Sequence, residues 1–116
     1  AMNETVAAAK AEEIGAAKSV NVGANSSENI GSSKSVSAGK DVSVDSGQKM
    51  SLHSGDDFSI KGDAKGVIEI KDQLTIKVGK ASITLKKNGD IIIDGKNINT
   101  KGSGNIVMKA KKILEN

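Results

Sequence analysis

Residues 15–62 read GAAKSVNV, GANSSENI, GSSKSVSA, GKDVSVDS, GQKMSLHS and GDDFSIKG. Glycine opens each octad, at Gly15, Gly23, Gly31, Gly39, Gly47 and Gly55. Serine follows four positions later, at Ser19, Ser27, Ser35, Ser43, Ser51 and Ser59. A fixed short period means one structural unit stacked many times. In the later octads apolar and polar residues alternate: Val42 and Val44 flank Ser43, Met50 and Leu52 flank Ser51, and Phe58 and Ile60 flank Ser59. Period two is the signature of a strand, whereas a helix repeats at three and four. A glycine in every octad would also weaken a helix by about 1 kcal/mol each time. Each octad is therefore predicted to be a short strand plus a corner, with glycine at the corner because it tolerates positive φ.

Working outward, the unit before Gly15 has Ala7 and Ala11 where the others have glycine and serine. It reads as a degraded terminal repeat. Residues 3–18 are alanine-rich enough for a helical reading, but continuation of the repeat is preferred. Lys10, Lys18, Ser26 and Lys34 occupy the position that Val42, Met50 and Phe58 fill later, and Val20, Val22, Ile30 and Val36 are the aliphatic residues that remain. Ala1-Met2 reads as a scar ahead of an internal fragment.

After Gly62 the glycine spacing becomes irregular while the alternation strengthens: Ile68/Ile70, Leu74/Ile76/Val78, Ile83/Leu85, Ile91/Ile93 and Ile106/Met108. Lys87-Asn88-Gly89-Asp90 is a turn signal, and residues 67–113 are predicted to be longer strands joined by tight corners. The absence of proline suits a backbone whose amides are needed for pairing. The chain is thus expected to hold two regions, an octad region at 1–62 and a C-terminal region at 63–116. The predicted inward set is Val42, Val44, Met50, Leu52, Phe58, Ile60, Ile68, Ile70, Leu74, Ile76, Val78, Ile83, Leu85, Ile91, Ile93, Ile106 and Met108. Octads are nearly degenerate under a slip of eight, so residues 67–116 are expected to lock the register.

Composition points away from a self-sufficient monomer. Of the 116 residues 36% are apolar, many of them alanine, and Phe58 is the only aromatic. Ordering each residue costs roughly 1–2 kcal/mol of backbone entropy, while burying an aliphatic side chain contributes about 1.5–3 kcal/mol. Too few large side chains are present for one chain to meet that cost, so an obligate oligomer is expected. There is no cysteine and hence neither disulfide nor thiolate site. The 17 basic residues are all lysine, interspersed with 14 acids for a net charge of +3. Arginine, which carries most bidentate phosphate and base recognition, is absent. Nucleic acid is not an expected partner, and Lys109, Lys111 and Lys112 read as a polar strand face. The apolar runs are far shorter than the ~20 residues of a membrane span, and no secretory leader pattern is visible.

No catalytic constellation stands out, so an enzyme is not expected, nor a cofactor or a metal. His53 is the only histidine. Three copies meeting on an axis would offer a cation site, but its place in the alternation opposite Met50 and Leu52 favours an outward position. Asp56-Asp57 and Glu12-Glu13 read as surface charge rather than as acid/base or calcium groups. The repeated serine is too regular for a nucleophile, and no phosphate-loop pattern is present.

The octads with alternating aliphatics resemble the needle of contractile-phage tail spikes. The stretch QLTIKVGKASITLKKNGDIIIDGKNI, from Gln73 to Ile98, is similar to the C-terminal β-helical region of VgrG proteins, the spike of bacterial type VI secretion systems. The likeness covers most of the chain. It implies an all-β fold: an intertwined triple-stranded parallel β-helix, a trimeric prism built from octapeptide repeats, with strands paired between chains. It implies aliphatic side chains inward, Gly15 to Gly55 at corners, and lateral closure without exposed edges, giving a stiff, tapering needle. The implied function is mechanical: a membrane-puncturing spike driven through a target membrane, assembled in the bacterial cytoplasm and then secreted or injected. The implied partners are a homotrimer, tube protein reached through domains outside this sequence, and a PAAR-type tip protein or effector at the C-terminal end. Ile113, Leu114, Glu115 and Asn116 are the tip candidates by position. The paired apical histidines of some phage spikes have no counterpart here. The alternatives are a phage baseplate needle, an adhesin or ligand-binding solenoid, and a spike with a fused hydrolase.

Overall fold

A computed structural model describes residues 3–116; the scar expected at Ala1-Met2 lies outside them. The described chain is all-β and contains no helix. The alanine-rich 3–18 stretch follows the repeat instead, with bends at Ala7-Ala8 and Gly15-Ala16. By its contacts the chain divides into two units, Ala1–Leu52 and His53–Asn116.

In the first unit, two-residue bends recur at 7–8, 15–16, 23–24, 31–32, 39–40 and 47–48, and the six-residue segments between them form no strand ladder. Among the described residues of this unit no backbone hydrogen bond is made within the chain. Backbone N–H and C=O groups are obligatory hydrogen-bonding groups. Here they are open to water or to another chain.

In the second unit the bends continue at 55–56, 63–64 and 71–72, and later at 103–104 and 111. The turns at 79–80 and 87–89 keep the same phase of eight, and a bend at Lys96 follows it one residue late. The period of eight therefore does not stop at Gly62, as the glycine spacing suggests. Asp63-Ala64 and Lys71-Asp72 make the bend without glycine. The reason expected for the corner glycines also fails: among the described residues positive φ occurs only at Gly79 (54°) and Gly89 (98°). A Cβ added at any glycine from Gly15 to Gly55 would meet nothing within 4 Å. These octad corners lie in backbone conformations that other residues adopt too.

Three strands form in the second unit: β1 (Gln73–Val78), β2 (Ala81–Lys86) and β3 (Ile91–Asp94), in the sheet order β1-β2-β3. Both pairings are antiparallel, with Leu74 opposite Leu85, Ile76 opposite Ile83, Ile83 opposite Ile93 and Leu85 opposite Ile91. The parallel pairing expected throughout the chain does not hold here. The cause is local. Gly79 at φ 54° lets Gly79-Lys80 act as a two-residue reversal between Val78 and Ala81, the tightest hairpin connection. The second reversal is held by Gly89 N–H donating to Lys86 O and Lys86 N–H donating to Asp90 O, both at 3.0 Å. The Asn88 side-chain oxygen accepts from Asp90 N–H at 3.1 Å, an Asx-type bond suited to such turns. Three strands reverse the chain twice, so β3 leaves in the direction in which β1 entered.

None of the described residues is buried. The chain exposes 13062 Å², about twice the ~6,000 Å² that a compact monomer of this mass exposes.

Candidate interaction surface

Side chains alternate across a strand, so the register assigns the faces of the sheet. Leu74, Ile76 and Val78 of β1 lie level with Leu85, Ile83 and Ala81 of β2, and Ile91 and Ile93 of β3 continue the same face. The other face carries Gln73, Thr75, Lys77, Ser82, Thr84, Lys86 and Asp94, with Ile92 its one large apolar residue. Adjoining the apolar side is an open hollow of about 360 Å³, bounded in part by Ile76, Val78, Ile83, Ile93 and Ile98. Ile98 lies beside Gly95, whose missing Cβ would sit at ordinary contact distance, 3.8 Å, from Ile98 Cγ1. Among the described residues of this unit nothing buries this face. Even at the sheet centre Ile83 and Leu85 remain 40% exposed.

The first unit has a different surface. Lys10 Nζ lies 2.8 Å from Glu4 Oε1, Lys18 Nζ 3.1 Å from Glu12 Oε1 and Lys34 Nζ 2.9 Å from Glu28 Oε1. Each pair spans one corner at a spacing of six, and every one of the six side chains is about half exposed. The bends thus bring position six of one octad beside position four of the next. The same two positions hold Val20/Ser26, Val36/Val42 and Val44/Met50 elsewhere in this unit. The lysines at this position are legible in the sequence; their glutamate partners are missed. The signal is the Glu-to-Lys spacing of six, visible only when the chain is written in octads.

Where position eight is serine, its hydroxyl ties the corner. Ser46 Oγ donates to Lys49 O at 2.7 Å and Ser54 Oγ to Asp57 O at 2.9 Å.

The remaining candidates are not gathered into a chemical site. His53 is exposed, and no group of three His, Cys, Asp or Glu side chains converges among the described residues. Glu12 is engaged with Lys18. Ile113, Leu114, Glu115 and Asn116 are all exposed at the chain end, and no hydrogen bond or ion pair described here joins them. Among the described residues no helix is long and apolar enough to cross a membrane. A comparison with models of known protein families and with curated proteins found no match to this chain.

Proposed function

We propose that the chain is one strand of a homotrimeric β-helical spike, the needle of a type VI secretion machine. In this reading three copies wind in parallel about one axis. The octad region pairs between copies, and the aliphatic side chains from Val42 to Met108 point to the shared interior. The observation that carries the reading is the pairing deficit. Bends recur every eight residues to residue 111, yet among the described residues the first unit makes no backbone pair of its own and none is buried. A solenoid that folds as a monomer covers its inward side chains with its own coils, which this chain does not do. Three chains wound together supply both the missing partners and the missing cover.

The work of the assembly is mechanical. Continuous pairing between copies gives stiffness, and the end near Ile113, Leu114, Glu115 and Asn116 carries a PAAR-type tip protein or effector. The spike forms in the bacterial cytoplasm, reaches the tube through domains beyond this sequence, and crosses a target membrane on firing. The antiparallel meander β1-β2-β3 sits within this scheme as a distinctive segment that fixes register in the C-terminal region.

The experiment is a secretion assay in a bacterium whose type VI machine uses the protein bearing this sequence. Removing residues 63–116 is expected to abolish release of tube protein into the medium. Undiminished release would overturn the proposal.

A further inference from the structure

We infer that the cross-corner pairs of the first unit form an ordered code of ionic and apolar levels that sets the axial register between copies of the chain. The inference rests on the trimeric reading above and adds to it a second register device, independent of the C-terminal meander.

Successive levels of the first unit are Glu4/Lys10, Glu12/Lys18, Val20/Ser26, Glu28/Lys34, Val36/Val42 and Val44/Met50. The first, second and fourth are ion pairs of near-identical geometry, at 2.8, 3.1 and 2.9 Å. The third is small and uncharged, and the last two are aliphatic. Because the same backbone positions hold charge in one level and hydrocarbon in another, both kinds of level face the same neighbour. That neighbour is another copy, since none of the described residues buries either kind.

The order of levels is what gives the device its power. A copy displaced by one octad sets Glu12/Lys18 against Val20/Ser26, Val20/Ser26 against Glu28/Lys34, and Glu28/Lys34 against Val36/Val42. Three of the levels become mismatched, two of them around the uncharged notch at Val20/Ser26. Were the four N-terminal levels all ionic, the same slip would mismatch only one. A charged pair set against hydrocarbon loses solvation without gaining a partner. Specifying register is the best attested use of polar groups in an otherwise apolar interface. As half-exposed pairs in one chain they add little stability; their role is selection among alignments.

The chain has no cysteine, so Ser27→Cys, on the exposed side of an octad, gives a single spin-label site. Distances between labels in the full chain are then read by pulsed electron resonance, after the mass of the same sample is measured. The otherwise unaltered sequence is expected to give a trimer with one distance, since in-register copies are equivalent. Replacing all three ion pairs by Leu/Met (Glu4→Leu, Lys10→Met, Glu12→Leu, Lys18→Met, Glu28→Leu, Lys34→Met) is expected to keep the trimer but shift part of the population to a second, longer distance. The more soluble variant Val20→Glu/Ser26→Lys, which fills the notch, is expected to produce the same longer distance. A single distance in the notch-filled variant overturns the inference, whether or not the charge-free chain folds. A trimer with several distances before any of these changes overturns it while leaving the proposed function standing. A monomer overturns both.

Discussion

Ile83 in β2 lies directly opposite Ile76 in β1, and both stay in water: 40% of Ile83 and 52% of Ile76 remain exposed. Such a cross-strand pair contributes roughly 0.2–1 kcal/mol. That is too little to justify an entire sheet face of leucine, isoleucine and valine. The face has its value when a second surface covers it.

Ile83→Asp tests this cover. In a chain whose face meets only water the change stays within about 0.5 kcal/mol, as for most surface substitutions. On a covered face it buries an unpaired carboxylate, and a loss of about 3 kcal/mol or more is expected. Thr75→Asp on the opposite face is expected to cost far less. Urea unfolding of both variants at equal chain concentration decides between the two cases.

Glycines in the hairpin turns are expected to be sensitive to alanine and those at the octad corners insensitive. Gly89 holds φ 98° and Gly79 φ 54°, where a Cβ costs about 1–2 kcal/mol. Gly89→Ala should lower the unfolding midpoint accordingly. Gly39 has no positive φ and open space around its missing Cβ, and the corners at 63–64 and 71–72 manage without glycine. Gly39→Ala is expected to leave stability within about 0.5 kcal/mol.

Downstream of the sheet, Gly102 and Gly104 make a matched pair. A Cβ at Gly102 would come within 3.1 Å of Ile106 Cγ1 and 3.4 Å of Asn105 O, whereas one at Gly104 meets nothing. Gly102→Ala is expected to cost about 1 kcal/mol through displacement of Ile106, and Gly104→Ala much less. Thermal melts of the two variants side by side give the comparison.

The Ser54 hydroxyl joins its corner to Asp57 O at 2.9 Å, a bond that stays in contact with water. Ser54→Ala is expected to cost about 0.5 kcal/mol, the low end for a hydrogen bond. An effect several times larger would mean that Ser54 is enclosed in the assembly and bonds to more than its own corner.

The all-β character and the period of eight were legible because glycine and serine mark it and aliphatic residues alternate within it. The continuation of the period past Gly62 was not, because the marker changes to Asp63 and Lys71 while the bend remains. The antiparallel meander was missed for a related reason. From Val42 to Val78 the alternating aliphatic residues occupy even positions, apart from Val67; from Ile83 to Ile93 they occupy odd ones, apart from Ile92, and at Ile98, Ile106 and Met108 they return to even, apart from Val107. A two-residue reversal inside a period-two pattern must change parity in this way. The parity change, read with Gly79-Lys80 between two alternating runs, is the signal that identifies the hairpin. The Glu–Lys pairs lay deeper still, since neither residue is unusual until the corner geometry brings positions six apart together.

The measurement closest to the central claim is the solution mass of the chain by light scattering. Three wound copies require a mass near three times 11.9 kDa, unchanged on dilution until the chain unfolds. A folded monomer of 11.9 kDa would contradict the account, because one chain would then hold its bends and its bare apolar face without any partner.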